Sequence, residues 1–119
     1  TFKDNNIRTS IFLNPDSEMV KYAKETDTDR IELYTEFYAK NFQLNKEKAI
    51  EDYIKAAYEA NLLHLEINAG HDLDLNNLRY FHQHIPNLKE VSIGHALICD
   101  ALEFGMSNVV KMYLNQLKQ

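Results

Sequence analysis

The chain has 119 residues, 45 % of them apolar, and its 18 acidic and 13 Lys or Arg side chains give a net charge of −5, which suits one globular unit. No basic cluster is present, which argues against nucleic acid as a partner, and no apolar run is long enough to span a bilayer. The opening residues TFKDNN contain no apolar signal segment, and the single Cys99 excludes an internal disulfide and disfavours a cysteine-based zinc site. We therefore expect a soluble, cytoplasmic protein with no membrane or nucleic-acid partner.

The residue pattern alternates between strand and helix four times. Strands are predicted over residues 7–13, 29–34, 62–68 and 89–93. Because parallel strands need a long crossover, usually a helix, this order predicts an α/β fold with a parallel sheet.

The predicted helices follow polar residues that suit helix starts. They cover about residues 15–26, 46–60, 75–85, 95–104 and 107–118. Asn14, Asp74 and Ser107 are the predicted N-caps, and Pro15 suits a first helical position, where its missing N–H costs little. Residues 35–45 are predicted to be a connection without a helix.

The predicted strands are apolar on one face only, whereas parallel strands covered on both faces usually read as continuous apolar runs. Charged or titratable side chains on the other face are costly to bury unpaired; they are Arg8, Arg30, Glu32, His64, Glu66 and Glu90. The interior of an eight-stranded β/α barrel accepts such residues if their charges pair across it, and four βα units are half of such a barrel, which takes about 250 residues. Patterning leaves two interpretations open: half a barrel, with the first half of the natural protein missing from this chain, or a small four-stranded α/β domain with one solvated face.

Groups able to move a proton or hold an anion follow three of the predicted strands, where parallel α/β folds gather function. Glu32 is a carboxylate that can stabilise positive charge, or alternatively a partner for an arginine of the same face. His71, behind Gly70 in NAGHDL, is a proton donor or acceptor near neutrality, or alternatively a solvent-exposed turn residue. Gly94 and His95 open a helix, where backbone N–H groups favour an anion, or alternatively they form a left-handed turn between strand and helix.

A metal site is the weaker interpretation of these residues. Glu32, His71 and His95 would make a set of two histidines and one carboxylate, but no recognised ligand spacing supports it. His82 and His84 lie two apart on a predicted helix and point in different directions. We expect no metal, while keeping a metal-dependent barrel hydrolase and a non-catalytic phosphate-binding module as alternative functions.

Four segments carry a resemblance to a known family. INAGHDLDLNNL followed by IPNLKEVSIGHALI resembles the C-terminal half of pyridoxine 5′-phosphate synthase, where the pattern is N-A-G-H-G-L, a helix, I-P and then I-G-H-A. DRIELYT followed by YA is similar to the sixth strand of that family, and IRTSIFLNPD to its fifth. The resemblance implies a TIM barrel in which residues 1–119 are the C-terminal half of a single domain, supplying strands five to eight.

The resemblance also implies a reaction and roles for the residues at the strand ends. Members of the family condense 1-deoxy-D-xylulose 5-phosphate with 3-amino-2-oxopropyl phosphate to pyridoxine 5′-phosphate, phosphate and water, with no metal or redox cofactor, and they assemble as homo-octamers. By this resemblance His71 is the proton donor, Glu32 stabilises charge in the transition state, and Gly94 and His95 bind a phosphate.

Two positions depart from the family pattern. Asp72 replaces a glycine that contacts substrate, and its carboxylate should repel phosphorylated substrates unless it points away or is paired. Tyr34, Thr35 and Glu36 replace the family's H-T-G, which makes the geometry of that loop an open question.

In the family, the base histidine, a second catalytic glutamate and several cationic phosphate ligands come from strands one to four. These residues are not in the 119-residue sequence, so we predict that this chain alone has no synthase activity.

Overall fold

Four parallel strands form one sheet in the computed structural model, which describes residues 1–118. They are β1 (Ser10–Leu13), β2 (Arg30–Tyr34), β3 (Glu66–His71) and β4 (Leu88–Ile93). Each strand pairs with its neighbours in the chain, in the order β1-β2-β3-β4. The predicted α/β class and parallel sheet are therefore confirmed.

Six α-helices connect and follow the strands, and a short 3-10 helix, Lys3–Asn5, precedes them. The helices are α1 (Ser17–Glu25), α2 (Glu36–Asn41), α3 (Lys46–Leu62), α4 (Leu78–His84), α5 (His95–Phe104) and α6 (Met106–Gln116). No helix within residues 1–118 combines the length and the apolar character needed to cross a membrane.

Three predicted helix starts are wrong, for local reasons. Helix α1 is capped by Asp16, not Asn14, because the Asp16 carboxylate accepts the N–H groups of the first turn. The Asp74 carboxylate accepts the N–H groups of Asn76 and Asn77, which forms a turn just before α4. The N-cap of α4 is Asn77. Gly105 is the N-cap of α6, so Ser107 lies inside that helix.

The largest error in the predicted elements concerns the run LLHLEIN. Helix α3 continues through Leu62, and His64 then takes a left-handed conformation with φ 56°. Strand β3 consequently starts at Glu66, four residues later than predicted, and extends through Gly70 to His71. His64 precedes the strand and does not belong to its polar face.

Two further predictions need correction. Strand β1 begins at Ser10 instead of residue 7. The connection predicted over residues 35–45 contains the short helix α2, which is held by its tertiary contacts. The Tyr38 hydroxyl donates to the Asn77 carbonyl oxygen at 2.7 Å, and the Tyr53 hydroxyl donates to the Tyr34 carbonyl oxygen at 2.8 Å.

The hydrophobic core lies between the helices and the apolar face of the sheet. From the strands it takes Ile31, Leu33, Ile67 and Ala69, and the largest helical contributions are the fully buried Tyr38, Tyr53 and Phe81. The aromatic rings meet edge to face, with centroids 4.9 to 6.0 Å apart, a geometry that ring quadrupoles favour.

The opposite face of the sheet is polar and is organised by Arg30, which is only 6 % exposed. Its guanidinium contacts Glu66 at 2.5 Å and Glu90 at 2.7 Å, and it donates to the Asn68 side chain at 3.1 Å. Arg8 adds a longer contact with Glu90, at 3.5 Å. These contacts link β2 to β3 and, past β3, to β4, and they pair Arg30 with two of the carboxylates on this face.

Candidate active site at the strand ends

The carboxyl ends of β2, β3 and β4 meet at one edge of the sheet. Tyr34 is level with Gly70, and Gly70 is level with Ser92. The buried Thr35 joins the first two ends, because both its backbone N–H and its hydroxyl donate to the Gly70 carbonyl oxygen, at 3.0 and 2.8 Å. This edge carries the residues that sequence reasoning singled out.

Glu32 lies on the polar face, and its carboxylate occupies the space above Gly70. A Cβ on Gly70 would lie 2.5 Å from Glu32 Oε1 and 2.9 Å from Ser92 Cβ, both closer than real Cβ contacts allow. The backbone of Gly70 is not left-handed, so glycine is needed here for close approach. Within residues 1–118, the Glu32 carboxylate forms no ion pair with Arg8 or Arg30, which contradicts the alternative role considered for it.

His71 is the last residue of β3 and projects toward solvent, with 53 % of its side chain exposed. Its φ of 103° is unusual for a residue with a side chain, and its carbonyl oxygen accepts the Leu73 N–H at 3.0 Å. The Tyr34 ring meets the imidazole edge to face, with centroids 4.9 Å apart. His71 therefore stands at the rim of the sheet with one side against an aromatic ring.

Asp72, the residue that departs from the family pattern, is paired with the histidine. Its Oδ1 lies 3.1 Å from His71 Nδ1. Two contacts hold the Asp72 backbone in place. The side-chain amide of Asn77 donates a hydrogen bond to the Asp72 carbonyl oxygen at 3.2 Å, and the next residue, Leu73, is fully buried. The carboxylate thus belongs to a defined loop.

Tyr34 and Glu36, which replace the family's histidine and glycine, are also connected. The Tyr34 hydroxyl donates to Glu36 Oε2 at 2.7 Å, and Lys40 contacts Glu36 Oε1 at 2.5 Å. The Lys40 ammonium, followed by the Tyr34 hydroxyl, lowers the pKa of the Glu36 carboxyl, and the same hydrogen bond raises the pKa of Tyr34. Tyr34 and Lys40 therefore both contact the Glu36 carboxylate, beside His71.

Gly94 and His95 stand at the start of α5. Gly94 is the N-cap, and its carbonyl oxygen accepts the Ile98 N–H at 3.0 Å. Its φ of −109° excludes the left-handed turn considered as an alternative, and no heavy atom of residues 1–118, other than those of Gly94 itself and its two chain neighbours, lies within 4 Å of where a Cβ would stand. His95 is exposed. Both residues at the start of α5 are therefore exposed, and a helix start carries N–H groups that favour an anion.

No group of three or more His, Cys, Asp or Glu side chains in the described part of the chain is arranged to hold a metal ion. Glu32, His71 and His95 do not form such a group. The arrangement instead offers separate functions: a carboxylate held on the polar face, an exposed imidazole paired with a second carboxylate, and an open helix start.

Sequence reasoning missed three parts of this edge. Thr35 was not expected to join β2 to β3, Gly70 was placed beyond the end of its predicted strand, and the Tyr34 ring was not placed against His71. Glu32 is level with Asn68, two residues before Gly70 on the same face of the neighbouring strand. A glycine beside a carboxylate in this way is a signal of close approach, but it is readable only once the register of the strands is known.

An all-parallel α/β sheet with acid–base groups at its carboxyl edge is the arrangement found at the rim of β/α barrels. Comparison with known families sharpens this class. The model of the family described as "Pyridoxal phosphate biosynthesis protein PdxJ" matches residues 1–119. The chain belongs to this family, and its four strands alternating with helices are consistent with part of the family's β/α barrel.

Relatives named pyridoxine 5′-phosphate synthase are similar over nearly the whole chain. The protein of Flavobacterium johnsoniae is 58 % identical over 117 residues, which are 98 % of this chain and 49 % of that protein. The protein of Cytophaga hutchinsonii is 56 % identical over 118 residues, 99 % of this chain and 50 % of that one. The Porphyromonas gingivalis protein is 52 % identical over 111 residues, 93 % and 47 % of the two chains. The chain thus spans about half the length of these curated relatives.

Proposed function

We propose that these 119 residues are the C-terminal half of a pyridoxine 5′-phosphate synthase, contributing strands five to eight of a TIM barrel. The full enzyme would condense 1-deoxy-D-xylulose 5-phosphate with 3-amino-2-oxopropyl phosphate to pyridoxine 5′-phosphate, phosphate and water. The observation that carries the proposal is the 58 % identity to a protein of that name. The polar face supports the barrel, because its buried Arg30 is paired with Glu66 and Glu90, as a barrel interior requires of a buried charge.

His71 is assigned the role of proton donor. Its ring is exposed at the rim of the sheet, where a bound substrate would meet it, and Tyr34 and Asp72 restrict its orientation. A positioned imidazole of this kind contributes about 10²–10⁴-fold to the rate of a proton-transfer step.

Glu32 is assigned the stabilisation of positive charge in the transition state. Among residues 1–118, its carboxylate forms no ion pair with an arginine of the polar face, although Arg30 lies on the same strand. Contact with Gly70 positions it before substrate arrives, and such preorganised charges act without reorganisation during the reaction.

Gly94 and His95 are assigned to a substrate or product phosphate. The open N-terminus of α5 supplies N–H groups and the positive end of a helix dipole, and no Cβ of residue 94 obstructs the approach. Asp72 occupies the position where the family contacts substrate with a glycine.

The assignment of activity is tested in the full-length protein by an assay of pyridoxine 5′-phosphate formation from the two phosphorylated substrates. We expect His71→Ala and Glu32→Gln each to lower kcat by about a hundredfold or more. Full activity in His71→Ala would instead favour a phosphate-binding role for this edge, and loss of activity on adding a chelator would favour a metal-dependent enzyme.

The chain of 119 residues alone is predicted to be inactive in the same assay, because two phosphorylated substrates need more positive charge than this half offers. Turnover by the purified 119-residue chain would contradict this prediction. A homo-octamer is part of the same proposal, to be measured by light scattering on the full-length protein.

A further inference from the structure

We propose that Asp72 is a positioning residue for His71: its carboxylate holds the Nδ1 proton, so that Nε2 is the nitrogen that passes a proton to the substrate. The inference rests on the proposed function, in which His71 is the proton donor. It assigns a role to the residue of NAGHDL that departs from the family pattern.

The contact itself identifies which ring nitrogen is engaged. Asp72 Oδ1 lies 3.1 Å from His71 Nδ1, within hydrogen-bond distance. An ionised carboxylate can only accept a hydrogen bond, so a hydrogen bond between these two atoms would place a proton on Nδ1. A carboxylate that holds one ring nitrogen in this way sets the tautomer and the orientation of the imidazole.

The backbone that carries the Asp72 carboxylate is held by α4 and by the hydrophobic core. Asn77 at the start of α4 donates to the Asp72 carbonyl oxygen, and the buried side chain of Leu73 anchors the next position. On its other side, the imidazole meets the edge-to-face ring of Tyr34. The ring is therefore restricted from two directions, and the remaining nitrogen, Nε2, is the one left for substrate.

The proton-transfer step balances with these groups alone. The doubly protonated ring breaks its Nε2–H bond, and that proton goes to an oxygen of the substrate as a new O–H bond forms. The electron pair of the broken bond stays on Nε2, and the neutral ring keeps its other proton on Nδ1, held by Asp72. Solvent returns the lost proton after product leaves.

The pairing also answers the charge problem that Asp72 creates. A free carboxylate beside two phosphorylated substrates would repel them, whereas a carboxylate paired with an imidazolium adds no net charge. The elements around the ring carry other titratable side chains, among them Glu32 and Tyr34 on β2, Glu36 and Lys40 on α2 and His95 on α5. Glu36 is already paired with Lys40, which leaves Asp72 as the carboxylate in contact with the imidazole among residues 1–118.

The spectroscopic test uses ¹⁵N NMR of the histidine rings in the full-length protein, with the His71 signals assigned by their loss in His71→Ala. In the neutral ring we expect the proton on Nδ1 in the unmodified protein. In Asp72→Asn and Asp72→Gly, the latter introducing the residue of the family pattern, the population should move toward the Nε2–H form. An unchanged tautomer in both variants would overturn the inference.

The kinetic test separates positioning from an effect of charge on substrate binding. Asp72→Asn should lower kcat by about tenfold with little change in KM, because orientation of the proton donor is lost while binding is kept. Asp52→Asn, the same charge change on the exposed surface of α3, is the matched control and should behave as the unmodified enzyme. Unchanged kcat with a lower KM in Asp72→Asn would overturn the inference and show that Asp72 acts by repelling substrate.

The two proposals can fail separately. If His71→Ala is inactive and Asp72→Asn is fully active, the role of Asp72 is wrong and the proposed function stands. If His71→Ala is fully active in the synthase assay, the proton-donor role of His71 and the role of Asp72 are both wrong, because no proton then passes through the ring, while the synthase activity itself stands.

Discussion

Gly70→Ala is predicted to displace the Glu32 carboxylate, because the new methyl group would occupy the space that the carboxylate now fills. The added Cβ would lie 2.5 Å from Glu32 Oε1, 2.9 Å from Ser92 Cβ and 3.1 Å from the Ser92 carbonyl oxygen. The first neighbour is the end of a flexible side chain and can move, whereas Ser92 belongs to β4 and is held by the sheet. The substitution therefore combines a shift of Glu32 with strain between two strands.

Overpacking of this kind typically costs about 1–3 kcal/mol, and no further backbone cost applies because Gly70 is not left-handed. We expect the free energy of unfolding of the full-length protein to fall by about 2 kcal/mol, which lowers Tm by about 4–8 °C in a domain of roughly 150–250 residues. Displacement of a catalytic carboxylate by about 1 Å lowers activity by about a hundredfold. The kcat of the folded variant should therefore fall by about this factor, in addition to any loss caused by unfolding.

The measurement is urea unfolding followed by fluorescence, together with the synthase assay at a temperature where the variant is folded. Gly94→Ala is the matched stability control: apart from its two chain neighbours, no described residue has a heavy atom within 4 Å of the new Cβ, so the unfolding free energy should change by less than about 0.5 kcal/mol. A double-mutant cycle with Glu32→Ala isolates the contact. Equal destabilisation by Gly70→Ala with and without the Glu32 side chain would refute the reasoning.

Two predictions concern the charges of the polar face. Arg30→Met should lower the free energy of unfolding by about 2 kcal/mol, measured by urea titration. This is less than the about 3–5 kcal/mol lost when a fully buried pair is broken, because Glu66 and Glu90 both reach water. An unchanged urea midpoint would show that the pairing contributes nothing. The hydrogen bond from Arg30 lowers the pKa of Glu90 below its ordinary value of 4.5, so the stability it contributes is fully present above that value and is lost as the pH falls through the lowered pKa. Glu90→Gln should therefore be less sensitive to acid than the unmodified protein when urea midpoints are compared between about pH 5 and pH 3, and parallel pH dependence of the two proteins would contradict the assignment.

The strands were predictable to the extent that their alternation is local. Residues 29–34 and 89–93 were placed within one residue of β2 and β4, because turn or capping residues bound both runs. The run LLHLEIN misled the prediction, since its first residues complete helix α3. Alternation over a helix end looks like alternation in a strand, and the left-handed turn at His64 that separates the two is not visible in the pattern.

Helix α2 illustrates a different limit. It has only six residues, Glu36–Asn41, and so short a helix is not stable by its own propensity. Contacts with residues distant in the chain hold it, through the Tyr38 hydroxyl on the Asn77 carbonyl oxygen and through Tyr53. A local reading of residues 35–45 had no means of finding those contacts.

The candidate site divides in the same way. Glu32, His71, Gly94 and His95 were identified from their positions after strands and from family motifs, and the parallel register brings three strand ends to one edge. The roles of these residues stay predictions until the variants are measured.

The sequence by itself determined which face of each strand is apolar, the parallel α/β class and the family, because these depend on local alternation and on short motifs. Only the tertiary structure decided why residue 70 is glycine and what residue 72 contacts. Both answers depend on groups brought together by strand register and by local backbone conformation. The Glu32 carboxylate lies on the neighbouring strand, beside Gly70, and His71, with its positive φ, has its ring beside the side chain of the next residue. In NAGHDL, therefore, the glycine makes room for one carboxylate and the aspartate supplies a second.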